Sequence, residues 1–170
     1  MGFIILLMFL LLIFLFIKFN QRKRKNDIGK IYRTYDGFFQ GKKHITKERN
    51  VVVVDQRDDG ALAVSKIVSK KGKSDNTRVK NLTLKSKNHP SLTEDSLVEL
   101  KVEHGHKNEK GGVPLPIMSE DLNKDENGKK LTIPEDSVTK KELRKIRSQQ
   151  KKNDKRHHKT TNKRWHNHFK

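Results

Sequence analysis

The chain opens on an unbroken apolar run, Met1 to Ile17, MGFIILLMFLLLIFLFI. A helix over it rises about 25 Å at about 1.5 Å per residue, close to the roughly 30 Å hydrocarbon core of a bilayer. Cations follow the run at Lys18, Arg22, Lys23, Arg24 and Lys25, and neither a basic leader nor a small-residue cleavage site accompanies it. The pattern therefore predicts an uncleaved, single-pass transmembrane helix rather than a signal peptide. The basic flank places the N-terminus outside and the remaining chain in the cytoplasm. N-myristoylation at Gly2 is excluded by Leu6, where the motif needs Ser or Thr.

The pattern then turns to short alternating or β-branched segments. Gly29 to Tyr35 alternates, and Val51 to Val54 is a continuous β-branched run suited to a central strand covered on both faces. Asp58, Asp59 and Gly60 supply a turn, and Ala61 to Ser69 returns as the partner strand. Two further strands are expected at Arg78 to Leu84 and Leu97 to Val102, where Val98, Leu100 and Val102 alternate with Glu99 and Lys101. Short strands without a long helix between them predict a small, strongly bent barrel. After Gly105 the periodicity is lost among Gly111, Gly112, Pro114, Pro116, Gly128 and Pro134, which reads as a linker whose apolar patches, Val113 to Met118 and Leu131 to Ile133, dock on the barrel. Thr139 and Glu142 form a capping box, so a helix starts near Lys140. Leu143 and Ile146 are its only apolar pair before Trp165 and Phe169, which predicts a tail that is mobile, or helical only on a partner.

The expected organisation is an anchor over 1–19, a basic juxtamembrane segment over 20–27, a mainly β barrel domain over 28–105, a linker over 106–138 and a basic helical or disordered tail over 139–170. Charge sharpens this picture. The chain carries a net charge of +19, and basic residues outnumber acidic ones 11 to 3 over 18–49 and 13 to 2 over 137–170. Such a tail offers many cations to a polyanion: Arg144, Lys145, Arg147, Lys151, Lys152, Lys155, Arg156 and Arg164, with Trp165 for base stacking. The loop cations Lys70, Lys71 and Lys73 could hold phosphates beside it. Anionic lipid is the competing partner.

Several chemistries drop out. The chain has no cysteine, which removes disulfides, thiolate metal sites and a Cys nucleophile. Gly72 to Ser74 lacks the earlier glycine of a P-loop. Asp55, Asp58 and Asp59 lack the ligand order of an EF-hand and read as a turn. His104, His106, His157, His158, His166 and His168 read as part of a cationic surface rather than as zinc ligands. No cofactor is expected.

The middle segment carries a resemblance. Gly29-Lys30-Ile31-Tyr32, Gly41-Lys42-Lys43, Arg49 leading into Val51 to Val54, Leu62 to Ser69, and Leu92-Thr93-Glu94-Asp95-Ser96-Leu97-Val98 together resemble the MazF/PemK family of toxin endoribonucleases, over Ile28 to about Val102. The resemblance implies an SH3-like barrel, metal-independent RNA cleavage, and catalytic roles for Arg49 and Ser69. The chain departs from the family pattern at Lys30, where an acid is usual, at Asn50, where proline follows the arginine, and at Ser69, where threonine is expected. The expected function is a membrane-anchored cytoplasmic protein that binds nucleic acid, RNA ahead of DNA, with a second copy or another protein on the barrel. Two alternatives stay open: an active toxin-like endoribonuclease, and a non-enzymatic membrane scaffold with its tail on anionic lipid.

Overall fold

A computed structural model describes residues 6–16, 27–40, 46–71, 77–106 and 113–168, with side chains up to 156. A helix, α1, covers 6–16 with every side chain 42–66% exposed. Then follow β1 (Ile31–Tyr35), α2 (Asp36–Gln40), β2 (Glu48–Gln56), β3 (Leu62–Ser69), β4 (Ser96–Val98), β5 (Gly105–His106), β6 (Leu115–Pro116) and α3 (Lys140–His168). The first four strands form one antiparallel sheet in the order β1-β2-β3-β4, and β5 and β6 make a separate two-stranded ribbon.

Two expectations are overturned here. The first is the membrane anchor. Eleven residues of α1 rise only about 16 Å, and among the described residues no helix is long and apolar enough to cross a membrane. The single-pass reading fails, and with it the outside-to-cytoplasm orientation; residues 1–5 and Ile17 of the expected span lie outside the described residues. The second is the mainly β barrel. The molecule is mixed α/β with an open four-stranded sheet. The expected strand over Arg78 to Leu84 is interrupted by Asn81 at φ +56°, in the left-handed region that breaks extended backbone. Only single bridges remain there, Arg78 to Glu99 and Leu84 to Ser96.

The outer edge of β1 is occupied instead of closing on another strand. Ile31 N–H donates to the Asp136 carbonyl at 2.9 Å, Val138 N–H to the Gly29 carbonyl at 2.8 Å, and Asn123 N–H to the Arg33 carbonyl at 2.7 Å. Residues 117–138 thus run along the sheet, and Ile117, Leu122 and Val138 are buried in it.

The sheet is covered on both faces, which explains the valine run of β2. Val52 and Val54 point into a core with Ile67, Leu84, Val98 and Ile146, while Val51 and Val53 point into a second core with Phe39, Leu62, Val64 and Ile117. Alternation along a strand makes this division automatic. The hairpin turn is held by Asp59 Oδ1, which accepts from Ala61 N–H at 3.0 Å, with Gly60 at φ +93°.

Helix α3 begins at its capping box. Thr139 N–H and Oγ1 each donate to Glu142 Oε2 at 2.8 Å, and Glu142 N–H donates to Thr139 Oγ1 at 3.3 Å. Its first half docks on the sheet through Ile146, which is fully buried, and Gln150, whose Nε2 donates to Ser65 Oγ at 2.7 Å. Burial pushes the Glu142 carboxyl up, but the two Thr139 bonds and the His89 imidazole outweigh it and hold the group below its usual range. A carboxylate with a lowered folded pKa stabilises the fold above its unfolded value, and that contribution is lost as pH falls through the folded value. Urea midpoints measured from about pH 6 down to about pH 3 should therefore fall less steeply for Glu142→Gln than for the wild type; parallel curves would contradict the linkage.

Candidate nucleic-acid interface

The Arg49 face of the sheet gathers the chemistry. Arg49, Val51 and Val53 share one side of β2, and Lys66, the cross-strand partner of Val51, joins them from β3. Helix α2 follows β1 without a gap and brings Asp36 over the same face. Arg49 Nε donates to Asp36 Oδ2 at 2.8 Å, and Lys66 Nζ lies 3.5 Å from Asp36 Oδ1. One carboxylate therefore holds two cations. The Asp36, Lys66 and Arg49 side chains are 15%, 17% and 26% exposed, so Arg49 is a fixed group and not a solvated flank of its strand.

Aromatic rings line the same region. Lys66 Nζ sits 4.9 Å from the centre of the Phe39 ring, a cation–π distance. Phe38 stacks on His106 at 4.6 Å and 25°, and meets Phe39 edge-on at 5.2 Å. A cleft of about 500–600 Å³ opens between Phe39, Lys66, Lys101, Glu103, His104 and Gly105. Its wall is set by Gly105: a Cβ there would stand 2.8 Å from the Leu115 carbonyl oxygen, so any side chain would push the β5–β6 ribbon, and His106 with it, out of place. Lys101 Nζ closes on Glu103 at 2.6 Å.

Glu99 completes the set. It lies on the extension of β4 that pairs with β3, its N–H donating to the Lys66 carbonyl at 2.9 Å, and alternation places it on one side with Lys101 and Glu103 while Val98 and Leu100 fill the opposite core. Burial is the largest influence on its carboxyl and raises the pKa despite the opposing charges of Lys66, Arg49 and Arg78; Glu103 pushes the same way as burial. A half-buried carboxyl that holds its proton into a higher pH range is the kind of group found where proton transfer is needed.

The expected pair of Arg49 and Ser69 is not brought together. Near the turn the hairpin pairs Asp55 with Ala63 and Gln56 with Leu62; if that register continued, Arg49 would stand opposite Ser69. A bulge between Val53 and Asp55 shifts the ladder by one residue, so that Val53 pairs with Val64 and Asn50 with Ile67. A one-residue shift sends side chains to the other face. Ser69 therefore sits with Ile67 on the far face, paired with Ser96, and its Oγ accepts from Lys71 N–H at 3.1 Å. The Ser69 hydroxyl also bonds the Glu94 carboxyl and, with Lys71, holds it below its usual range.

The other candidates are dispersed. Lys70 and Lys71 follow β3, where Lys70 N–H donates to the Asp95 carbonyl at 3.0 Å and Lys71 Nζ lies 3.4 Å from Glu94; Lys73 lies outside the described residues. On α3, Lys145 Nζ donates to the Asn81 carbonyl, and Arg147 donates to the Val54 carbonyl at 2.6 Å and to Asp55 at 3.1 Å. Arg144, Lys151, Lys152, Lys155 and Arg156 are exposed. Arg164 and Trp165 belong to α3, with side chains outside the described part. No group of metal-binding side chains occurs among the described residues. Phe38, Phe39, Asp36 and Glu99 were not among the sequence candidates; for Glu99 the signal was present, since its alternation with Val98 and Leu100 already put it on one face with Lys101. No family model, curated protein or solved structure matches the chain.

Proposed function

We propose that the chain binds single-stranded RNA on the Arg49 face. The observation that carries this reading is a cleft lined by Phe39 and the cations Lys66 and Lys101, with the Phe38–His106 stack meeting Phe39 edge-on and Arg49 joined to Lys66 through Asp36. Proteins that hold single strands combine these two elements: unstacked bases lie on aromatic faces while cations follow the phosphates. The exposed cations of α3 add a long-range attraction that brings a polyanion to the molecule. The motifs resembling the MazF/PemK endoribonucleases point to RNA.

A mixed-sequence, fluorescein-labelled single-stranded RNA in EDTA tests the proposal. Anisotropy should report binding by the full chain that weakens steeply as salt rises from about 50 to about 200 mM. Phe38→Ala should weaken it roughly tenfold, the loss expected for one stacked base, whereas Lys130→Ala, away from the cleft, should not. Binding to anionic lipid vesicles with none to RNA would overturn the proposal.

A second reading, metal-independent RNA cleavage, is favoured by the fixed position of Arg49. An arginine held by Asp36 on the face that carries the cleft residue Lys66 is pre-oriented for the charge that builds on phosphate during in-line attack.

A further inference from the structure

Cleavage without a metal needs more than a cation. The 2′-hydroxyl must lose a proton as its oxygen attacks the adjacent phosphorus, and a positioned carboxylate can take it. Ser69 cannot serve at Arg49, because the bulge in β2 places it on the other face of the sheet.

We infer that Glu99 is the general base of a phosphodiester-cleaving site formed with Arg49, Lys66 and Arg78, acting on single-stranded RNA held in the adjoining cleft. The inference rests on the RNA-binding reading and its cleavage variant and goes beyond them by naming the group that moves the proton. Three observations converge. Glu99 lies directly beside Lys66 along the β3 ladder and is bridged through its backbone to Arg78. Arg49 and Lys66 are fixed on the same face by Asp36 from α2. The cleft that opens next to them is lined by Lys66, Lys101 and Glu103, with Phe39 as its aromatic wall.

The step balances without an added reagent. Ionised Glu99 accepts the 2′-hydroxyl proton while the 2′-oxygen forms a bond to phosphorus. The bond from phosphorus to the 5′-oxygen breaks, and that oxygen takes a proton from water. The products are a 2′,3′-cyclic phosphate and a 5′-hydroxyl end, and Glu99 returns its proton to solvent. Arg49 and Lys66 offset the charge on the equatorial oxygens. The groups that set the ionisation of Glu99 are Arg49 on β2, Lys66 on β3, Arg78 across the bridge and Glu103 on its own segment, with Asp36 facing Arg49 and Lys66 from α2. Burial moves that ionisation above the usual carboxylate range, so the cleavage rate should rise with pH through it and then level off.

The test uses the full chain, wild type and Glu99→Gln, with one RNA in EDTA and its fully 2′-O-methylated copy as an uncleavable probe of affinity. The expected result is cleavage by the wild type that rises with pH, a loss of about 10²–10⁴-fold in Glu99→Gln, and unchanged or tighter binding of the methylated RNA, because a negative charge has been removed. Glu99→Asp should retain part of the rate with its pH dependence. Bound but intact RNA with the wild type would overturn the inference and leave the binding proposal standing; absence of binding would remove both. Cleavage that survives in Glu99→Gln, or a wild-type rate flat in pH, would also overturn it. The wild-type profile keeps the test decisive if the variants fail to fold.

Discussion

Asp136→Ala should lower the stability of the chain by about 3–5 kcal/mol, the range for removing one member of a buried charged cluster. The Asp136 side chain is 4% exposed. Its Oδ2 accepts from Ser91 Oγ at 2.6 Å and from Ser91 N–H at 3.3 Å, and its Oδ1 meets His89 Nδ1 at 3.0 Å. The other nitrogen of His89 lies 3.6 Å from Glu142 at the start of α3. The Ser91 carbonyl in turn accepts from Arg33 at 3.3 Å and Asn50 at 3.4 Å. One carboxylate thus joins β1, β2, the loop at 89–91 and the helix N-terminus. Without it, a hydroxyl, an amide and an imidazole, all buried, lose a partner together, and each such loss costs about 1–3 kcal/mol before relaxation. Urea denaturation checks the magnitude. Asp136→Asn, which keeps the shape and loses the charge, should fall between the alanine variant and the wild type; an alanine midpoint equal to the wild type's would show that the cluster does not hold these segments.

The second large effect is expected at Ile146→Ala, about 2–5 kcal/mol, the cost of emptying a buried aliphatic site. Ile146 is completely buried against the core that contains Val52, Ile67 and Leu84. It is the main apolar contact that fixes α3, since Leu143 is only half-buried. Its loss should also loosen the neighbouring polar contacts, Gln150 to Ser65 and Arg147 to the Val54 carbonyl. Hydrogen exchange should then show α3 amides opening at lower free energy than the sheet. Lys152→Ala, six residues further on and exposed, should change stability by no more than about 0.5 kcal/mol. Equal effects from the two variants would mean that the helix is not docked through Ile146.

How much of this is legible in the sequence depends on the range over which each feature is determined. The valine run and the Asp-Asp-Gly turn are local, so β2, β3 and their hairpin could be read directly. The capping box at Thr139 gave the start of α3 for the same reason. Helix α2 could not be read, because five residues, DGFFQ, are too few to show a helical period. The loss of the 78–84 strand turns on one backbone angle at Asn81. The buried cluster at Asp136 depends on contacts 45 and 47 residues apart in sequence, and nothing near His89 announces them. The described part of the first helix, 6–16, covers eleven residues of the apolar run that suggested a membrane span.

The candidate site shows the same limit in sharper form. Arg49 was visible through the resemblance, and Glu99 through its alternation with Val98 and Leu100. Whether Ser69 joins them rests on the register of β2 against β3, which no count of hydrophobic positions fixes once a bulge is present.

That bulge has a genetic consequence. Deleting the codon for Val54 would remove the unpaired residue and make Asp55–Ala63 and Val53–Val64 consecutive rungs, so Asn50 would keep Ile67 as its partner and Arg49, one rung further, would stay opposite Val68 and away from Ser69. A change of three nucleotides would therefore straighten the hairpin and still leave the same arginine in its neighbourhood of Asp36, Lys66 and Glu99.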